Sequence, residues 1–300
     1  MIEPPLKWAG GKRWLARSYS WLFPKSYDRY LEPFFGGGAV FFALRPDRAV
    51  LSDKNARLVA TYEALRDNPN GVIAALRAYA SRHSDEFYYV ARATPEADAI
   101  KEAARFLYLN RTCWNGLYRV NLKGEFNVPR GTKNNVILPT DDFDAVSKAL
   151  LNAELSASDF STTLSQARAG DFVFIDPPYT VARNNNGFLK YNEDIFSWAD
   201  QERLKAEAVA AASRGASVLV LNAHHDSVSK LYSDAGTLHV VKRHSVISST
   251  SAHRKGVEEL AVQIGFETTD SNGDPIQLRK NHSAGTTDAA SHMPVPCETA

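Results

Sequence analysis

The sequence predicts an α/β fold built on a doubly wound, mostly parallel sheet. Three observations predict it: a strand that runs into a glycine turn (30–38), a second strand that ends at Asp53, and an apolar run (172–175) that ends in Asp-Pro-Pro-Tyr. A strand, a glycine loop, a helix and a second strand ending in an acid open many nucleotide-binding sheets. A short apolar run between turn residues is typical of a buried parallel strand.

The elements after Asp53 change character along the chain. Apolar residues recur at helical spacing over 58–80, with a break at 68–71, and again over 96–108 and 143–151. The segment 110–133 is instead rich in Asn, Gly, Arg and aromatic residues. Lys123-Gly124 is typical of a hairpin turn between 117–120 and 126–128.

The second half returns to the sheet. An amphipathic helix is predicted over 202–212, a buried strand over 218–221, and a closing antiparallel pair over 238–246 and 259–264. Residues 1–56 and 150–267 therefore form a discontinuous catalytic domain, and residues 57–149 form an inserted, mostly helical domain that carries the β-hairpin. Residues 268–300 contain few large apolar side chains, which predicts a mostly disordered tail.

Composition narrows the class of protein. No apolar run approaches the roughly 20 residues of a membrane helix, and the N-terminus lacks a signal core. The only cysteines, Cys113 and Cys297, are far apart, which excludes a disulfide framework, argues against a bound metal and favours a cytoplasmic location.

The positive charge of the chain is concentrated in two stripes. Residues 105–133 contain one acid, Glu125, and residues 239–255 contain three histidines and no acid. Two such stripes in a chain of net charge +1 favour a polyanion partner over two ordinary solvated surfaces. Their cations are Arg105, Arg111, Arg119, Lys123, Arg130 and Lys133 in the first, and Lys242, Arg243, Arg254 and Lys255 in the second.

Asp176-Pro177-Pro178-Tyr179 carries the first chemical signal. It follows a buried strand, so its side chains are expected at the carboxyl end of the sheet, where doubly wound folds bind ligands. The prolines stiffen the loop, and the aromatic ring offers a face for stacking. Asp176 and the Pro177 carbonyl could accept both hydrogens of one exocyclic amine, which would localise the nitrogen lone pair for attack on a methyl sulfonium. The alternative is a simple strand stop with Asp176 as a cap.

The glycine loop 32–38, Glu-Pro-Phe-Phe-Gly-Gly-Gly, is the second signal. Glycines let a backbone approach a ligand closely, and Asp53 at the end of the next strand is placed to bind a ribose diol. The spacing is not that of a dinucleotide fingerprint, so a nicotinamide cofactor is not indicated. Asp53 could instead cap the following helix.

The N-terminal run Lys7-Trp8-Ala9-Gly10-Gly11-Lys12 is the third signal. It lacks the earlier glycine of a phosphate-binding P-loop. Lys12 could pair with a carboxylate, and Trp8 could cover a flat or cationic group, although Trp8 alone would be interpreted as a core residue.

Taken in order, these motifs resemble the Dam-like DNA adenine methyltransferases, the D12 class with alpha-type motif order. The resemblance covers residues 5 to 265 and includes a target-recognition hairpin (106–129) and later segments at 188–191, 200–201, 238–249 and 254–260. It implies a Rossmann-like class I methyltransferase sheet with an inserted DNA-recognition domain. It also implies transfer of a methyl group from S-adenosylmethionine to N6 of an adenine flipped out of double-stranded DNA, without a metal.

The resemblance implies three sets of site residues. The catalytic set is Asp176, Pro177 and Tyr179, with Tyr179 stacking on the adenine. The set that binds S-adenosylmethionine is Trp8, Lys12, Pro33, Phe34, Gly36, Gly38, Asp53 and Asp176. The set that contacts DNA is Arg111, Trp114, Asn115, Leu117, Arg119, Lys123, Asn127 and Pro129.

Within the DNA set, the resemblance implies a task for each residue. Trp114 and Asn115 would wedge into the base stack, Arg119 would read a guanine, and Arg111 and Lys123 would contact phosphates. The alternatives are a core position for Trp114 and a surface ion pair between Arg119 and Glu125. We expect a short, GATC-like target and a cognate restriction endonuclease acting separately.

Other functions stay open at this point. Relatives that methylate cytosine N4 tend to carry Ser in place of Asp176, and those acting on protein glutamine or RNA bases tend to carry Asn, so Asp176 favours adenine. An inactive DNA-binding module would be expected to lose Asp176, Tyr179 or Lys12, and all three are present. A nucleotide-dependent oxidoreductase is disfavoured by the glycine spacing.

Overall fold

The computed structural model describes residues 2–8, 10–121, 123–181, 196–243 and 257–268. Its centre is one seven-stranded sheet in the order β3-β2-β1-β4-β5-β7-β6. The first five strands of that order are parallel, and β7 runs antiparallel to both neighbours. The strands are β1 (Arg29–Glu32), β2 (Ala49–Asp53), β3 (Ala153–Ala157), β4 (Asp171–Ile175), β5 (Ser217–Ala223), β6 (Thr237–Arg243) and β7 (Val257–Ile264).

This order confirms the predicted doubly wound sheet. The chain winds from β1 outward to β2 and β3, then returns to the other side of β1 for β4 and β5. The direction of winding therefore reverses between β1 and β4. Open α/β sheets bind ligands at such a switch point, outside the carboxyl ends of the strands.

Helices cover both faces of the sheet. They are α1 (Arg13–Ser18), α2 (Ala39–Leu44), α3 (Ala56–Asp67), α4 (Pro69–Ser81), α5 (Asp85–Ala93), α6 (Ala99–Thr112), α7 (Phe143–Leu150), α8 (Phe160–Leu164), α9 (Trp198–Ser213) and α10 (Asp226–Tyr232). The break predicted at 68–71 separates α3 from α4. There, the Asn68 side chain accepts a hydrogen bond from the Gly71 amide, and Pro69 occupies the first turn.

Two apolar cores lie on opposite faces of the sheet. Phe172 and Phe174 of β4 face the core that contains the inserted helices, whereas Val173 and Ile175 face the core beneath α9. Every residue of β4 is buried as a result. This explains why the strand appears in the sequence as an uninterrupted apolar run.

The inserted helices share their core with the sheet. Leu58 and Tyr62 of α3 belong to the same apolar cluster as Phe42 of α2 and Tyr108 of α6. Because this core is continuous, it marks no division at residue 56 or 150, and the predicted domain boundaries stay a prediction. The predicted tail beyond Thr268 and the segment 188–191 lie outside the described residues.

Several elements depart from the sequence prediction. The strand β3 and the helices α1, α5, α8 and α10 were not predicted. The predicted hairpin is present as a single bridge between Val120 and Phe126, with backbone hydrogen bonds from Asn121 to Glu125 and from Asn127 to Arg119.

Arg111 lies elsewhere than predicted. Its side chain is fully buried, and its guanidinium donates two 2.7 Å hydrogen bonds to the Asp141 carboxylate and others to the carbonyls of Pro5 and Val136. In this structure Arg111 is therefore a structural tie and has no surface for a phosphate, which corrects its place in the DNA-contacting set. Its partner lies 30 residues away, which a local charge pattern does not reveal.

We expect Asp141→Ala to lower the free energy of unfolding by about 3–5 kcal/mol, because it leaves the Arg111 charge buried and unpaired. The matched control is Asp67→Ala, which breaks a bidentate pair with Arg66 in which the Asp67 side chain is 62% exposed. That change should lower it by less than about 1 kcal/mol. Urea unfolding of both variants measures the difference, and equal losses would contradict the assignment.

Candidate active site

Three carboxylates meet at the carboxyl edge of the sheet, at the switch point. Glu32 ends β1, Asp53 ends β2, and Asp176 follows β4. Glu32 is buried and accepts a 2.8 Å hydrogen bond from the Tyr30 hydroxyl. Burial raises the pKa of Glu32 well above its ordinary value, and the charges of Asp176 and Asp53 raise it further. Burial and the neighbouring carboxylates thus favour the protonated form of Glu32 at this edge.

The glycine loop is fitted around Trp8. Gly36 has a φ of +48°, and a Cβ at that position would lie 2.8 Å from Cδ1 of Trp8. The loop backbone is tied to the sheet, because the amide of Phe35 donates to Ser52 and the hydroxyl of Tyr62 donates to the Gly36 carbonyl. Only glycine combines this backbone conformation with so close an indole.

The other predicted loop residues lie around this turn. Pro33 is buried directly after β1. Phe34 is half-buried, and its ring stacks on Phe160 at 5.4 Å between centroids. Gly38 has a φ of +63° and is the residue from which α2 begins. The structure therefore brings the predicted glycine-loop residues together with Asp53.

Asp53 is held by the backbone on two sides. Its Oδ2 accepts from the Gly36 amide and its Oδ1 from the Asn55 amide, both at 2.9 Å. Burial raises its pKa, and these two hydrogen bonds lower it in part. The side chain of Asn55, not Asp53, caps α3. A carboxylate has about four acceptor positions, so Asp53 retains acceptors for a diol.

A charged cluster lies beside the Asp-Pro-Pro-Tyr loop. The Nζ of Lys12 lies 3.3 Å from Oδ1 of Asp176 and 3.4 Å from Oε2 of Glu259. The Tyr179 hydroxyl donates a 2.8 Å hydrogen bond to the same Glu259 oxygen, and the Lys12 ammonium lies 4.8 Å from the centre of the Tyr179 ring. Arg243 approaches the other Glu259 oxygen at 3.4 Å.

The structure thus brings Lys12, Asp176 and Tyr179 together. Pro177 is buried between the two site residues of its loop. Burial raises the pKa of Asp176 to about 6; the Lys12 ammonium lowers it and the Glu259 carboxylate raises it. Asp176 is accordingly an ionised acceptor at neutral pH that can still take up a proton.

Glu259 is a site residue that sequence reasoning missed. It lies in β7 with 2% of its side chain exposed, next to Glu258, which is exposed on the opposite face. The only signal in the sequence is an acid one position before the apolar run 260–262, where strand alternation turns one of two adjacent acids inward.

The hairpin presents a second predicted set of residues to solvent. Trp114 is 50% exposed and Leu117 is 38% exposed, so neither is a core residue. Asn115 has a φ of +55°, an uncommon conformation for a residue other than glycine. The surface is completed by Asn115, Arg119, Lys123 and Pro129, all exposed, and by Asn127, which is half-buried.

Arg119 is oriented by a neighbour across the hairpin. Its Nε donates a 2.8 Å hydrogen bond to Oδ1 of Asn127, and its Nη2 lies 3.4 Å from the Asn127 carbonyl. Glu125 instead accepts a hydrogen bond from Asn121, so the alternative Arg119–Glu125 ion pair is not formed. Asn127 therefore holds the Nε–Nη2 edge of the exposed Arg119 guanidinium against the hairpin.

The N-terminal segment joins the two surfaces. The Trp8 ring stacks on Tyr118 of the hairpin at 5.5 Å between centroids. The Asn110 side chain exchanges two 2.8 Å hydrogen bonds with the backbone of Lys7 and donates a third, 3.3 Å bond to the Gly116 carbonyl. The glycine loop and the exposed hairpin are therefore supported by the same short segment.

Known proteins share this arrangement of motifs. The family described as D12 class N6 adenine-specific DNA methyltransferase matches residues 8–246. The chain belongs to this family. Its relatives include a Type II methyltransferase, M1.LlaDCHI, of Lactococcus lactis subsp. cremoris, which is 34% identical over 87% of this chain and 95% of its own length. The DNA adenine methylase of Escherichia coli K12 is 32% identical over 85% of this chain and 92% of its own length.

Membership in the D12 class confirms the predicted DNA adenine methyltransferase activity, and the seven-stranded sheet confirms the fold class. Within the described ranges, no helix is both long and apolar enough to cross a membrane. The same part of the chain contains no group of three or more His, Cys, Asp or Glu side chains arranged to hold a metal ion.

We expect Gly36→Ala to displace the Trp8 indole and to destabilise the protein more than Gly124→Ala does. Both glycines have positive φ, so both changes introduce backbone strain of about 1–2 kcal/mol. At Gly124 a Cβ meets no heavy atom within 4 Å, whereas at Gly36 it meets Trp8. The difference in unfolding free energy isolates the clash, and it should be about 1–3 kcal/mol. Equal losses would show that the indole moves aside freely.

Proposed function

We propose that this D12-class enzyme transfers a methyl group from S-adenosylmethionine to N6 of an adenine flipped out of double-stranded DNA. The observation that carries the proposal is the Asp176-Pro177-Pro178-Tyr179 loop at the switch point, with its carboxylate beside the buried Lys12 ammonium. The family supports a methyltransferase that acts on DNA adenine. The residue roles that follow are part of the proposal.

The residues at the end of β2 fit S-adenosylmethionine. Asp53 is fixed by two amides yet retains acceptors suited to a ribose diol. Phe34 and Trp8 add aromatic surface on either side of the glycine loop. When bound, the cofactor supplies an electrophilic methyl group. The predicted residues Pro33, Gly38 and Lys12 support the loop and the neighbouring carboxylate.

Asp176 and the Pro177 carbonyl are assigned to the adenine amine. As acceptors they would bind its two hydrogens and localise the lone pair of N6. After transfer, N6 carries a positive charge and must lose one proton. Asp176, whose pKa lies near 6, is suited to receive that proton and return it to water. The Tyr179 ring offers the face on which the flipped base stacks.

The hairpin is assigned to DNA. Flipping a base leaves a gap, and the exposed Trp114 and Asn115 are suited to fill it. Arg119 presents its free edge to a guanine, the commonest specific contact of arginine with DNA, and Lys123 contacts a phosphate. Leu117, Asn127 and Pro129 shape the same surface. We propose a short, GATC-like target and a cytoplasmic location. The Type II name of the Lactococcus relative supports a separate cognate endonuclease.

The proposal is tested by incubating the full chain with S-adenosylmethionine and unmethylated plasmid DNA, then sequencing for N6-methyladenine. Methyladenine confined to one short motif, and absent with Asp176→Ala, is the expected result and identifies the target. If both proteins bind the cofactor and neither methylates DNA, the remaining candidates are an RNA or protein substrate, or an inactive nucleic-acid-binding module.

We expect the rate of methyl transfer to fall as the pH falls through about 6. Asp176 accepts the amine hydrogens only as a carboxylate, and its pKa of about 6 lies above the ordinary value. Activity is therefore full above that pH, and the single-turnover rate should be about tenfold lower one unit below it. A rate that stays constant between about pH 5 and 8, with DNA binding unchanged, would remove Asp176 from this role.

We expect Arg119→Ala to change the sequence specificity of DNA binding and Lys123→Ala to change its affinity for all sequences. Loss of Arg119 should cost about 1–3 kcal/mol of discrimination at one base pair and relax the specificity there. Loss of Lys123 should weaken binding to all sequences alike and reduce the salt dependence of binding by about one phosphate contact. Titration of both variants on a set of single-base target variants measures the two effects. Identical sequence profiles would contradict the assignment of Arg119.

A further inference from the structure

Glu259 occupies an unusual position for an acidic side chain. It is 2% exposed and is reached by Lys12, Tyr179 and Arg243, which come from the N-terminal segment, the catalytic loop and β6. Because β7 is antiparallel, its start lies at the same edge where the parallel strands end. In the sheet register Glu259 pairs with Ala223, the last residue of β5, and with Val241 of β6.

We propose that Glu259 is a positioning residue for methyl transfer, one that shares the Lys12 ammonium with Asp176 and fixes the Tyr179 ring. This proposal rests on the adenine-binding roles of Asp176 and Tyr179 given above. Glu259 itself does not touch the substrate. It acts through the two side chains that it binds.

The first part of the argument concerns Lys12. A buried ammonium must be paired, and Lys12 lies at nearly equal distances from two carboxylates, 3.3 Å and 3.4 Å. Without Glu259, Asp176 is the one carboxylate among these contacts that can neutralise the Lys12 ammonium. Its donors would then occupy the oxygens that the amine needs. Sharing the ammonium leaves part of the acceptor capacity of Asp176 available.

The second part concerns Tyr179. Its ring follows two prolines, and its hydroxyl donates to Glu259 at 2.8 Å. A hydroxyl bonded to a buried carboxylate restricts rotation of the side chain. The ring is then already oriented before a base arrives, which reduces the ordering that binding requires.

The charged groups around Asp176 predict how its pKa changes when Glu259 is replaced. The groups that act on it are Lys12, Glu259 and Tyr179, together with Glu32 and Tyr30, which are paired with each other. Glu259 raises the pKa of Asp176, and Lys12 lowers it. Removing the charge of Glu259 and releasing Lys12 toward Asp176 therefore both act in the same direction, downward.

The first experiment reads this pKa in the free protein, with no substrate present. A ¹³C NMR titration of the Asp176 carboxyl is recorded for the full chain and for Glu259→Gln, with Asp176→Asn to assign the signal. We expect the pKa of Asp176 to fall by on the order of one unit in Glu259→Gln. The matched control is Glu258→Gln, whose side chain is 39% exposed and pairs with Lys242 and His224. It should leave the titration unchanged.

The second experiment separates the two contacts of Glu259 during the reaction. Glutamine keeps an oxygen that can accept the Tyr179 hydrogen, whereas alanine keeps neither contact. In Glu259→Gln we expect the single-turnover rate at neutral pH to fall about tenfold, with the KM for DNA nearly unchanged. The acid limb of its pH–rate profile should move to lower pH. Fluorescence of 2-aminopurine at the target position, which reports the flipped base, should be retained in Glu259→Gln and reduced in Glu259→Ala.

The proposal would be overturned if Glu259→Gln showed the same pKa of Asp176, and the same acid limb of the pH–rate profile, as wild type and Glu258→Gln. Should Glu259→Gln fail to fold, Tyr179→Phe takes its place, since it removes only the hydroxyl. A weaker 2-aminopurine signal supports the proposal, and an unchanged signal overturns it. A wild-type chain that methylates no DNA adenine would instead refute the proposed function, and the NMR titration would still decide whether Glu259 controls Asp176.

Discussion

The buried Lys12 ammonium is the interaction on which the site depends. It lies between Asp176 and Glu259, so it ties the N-terminal segment to the end of β4 and to the start of β7. These three segments are far apart in the chain, and each carries a charge that would be unfavourable if buried alone. Arg243 lies beside Glu259 as a second cation, so two cations balance the two carboxylates. The attraction between Lys12 and the carboxylates places the N-terminal segment across the switch point. Trp8 then lies against the glycine loop, where the absence of side chains on Gly36 and Gly37 makes room for its ring.

The N-terminal segment also supports both the glycine loop and the hairpin. Trp8 contacts the glycine loop on one side and stacks on Tyr118 of the hairpin on the other. Asn110 fixes the backbone of Lys7 and also reaches the loop that carries Trp114. A shift of the hairpin would therefore act on the glycine loop through packed rings and hydrogen bonds. Such a contiguous path is a physical basis for coupling between the hairpin proposed to contact DNA and the loop proposed to bind the cofactor.

Local signals in the sequence were sufficient for six of the seven strands and for the Asp-Pro-Pro-Tyr loop, and tertiary pairing accounts for most of what they missed. The strand β4 was predictable because burial on both faces leaves an apolar run. In contrast, Arg111 lies in a basic stretch that suggests a surface, and only its distant partner Asp141 shows that it is internal. Glu259 was missed for the same reason, because only its contacts with Lys12 and Tyr179 show that it belongs to the site. The short strand β3 alternates apolar and polar residues, with only Ala153 buried, so it lacks the uninterrupted apolar run of β4.

Trp114 and Asn115 lie in a loop that contributes little to the stability of the fold. Half of the indole is exposed, and the next residue adopts a left-handed conformation that disfavours folding by about 1–2 kcal/mol. Cys113, immediately before them, is buried and hydrogen-bonded to the Leu117 carbonyl, so the loop is anchored on the side away from the ring. An anchored loop that displays a large aromatic residue in a strained turn contributes little to the apolar core. Insertion of that ring into a base stack, as proposed, would bury the exposed surface and give the strain a function.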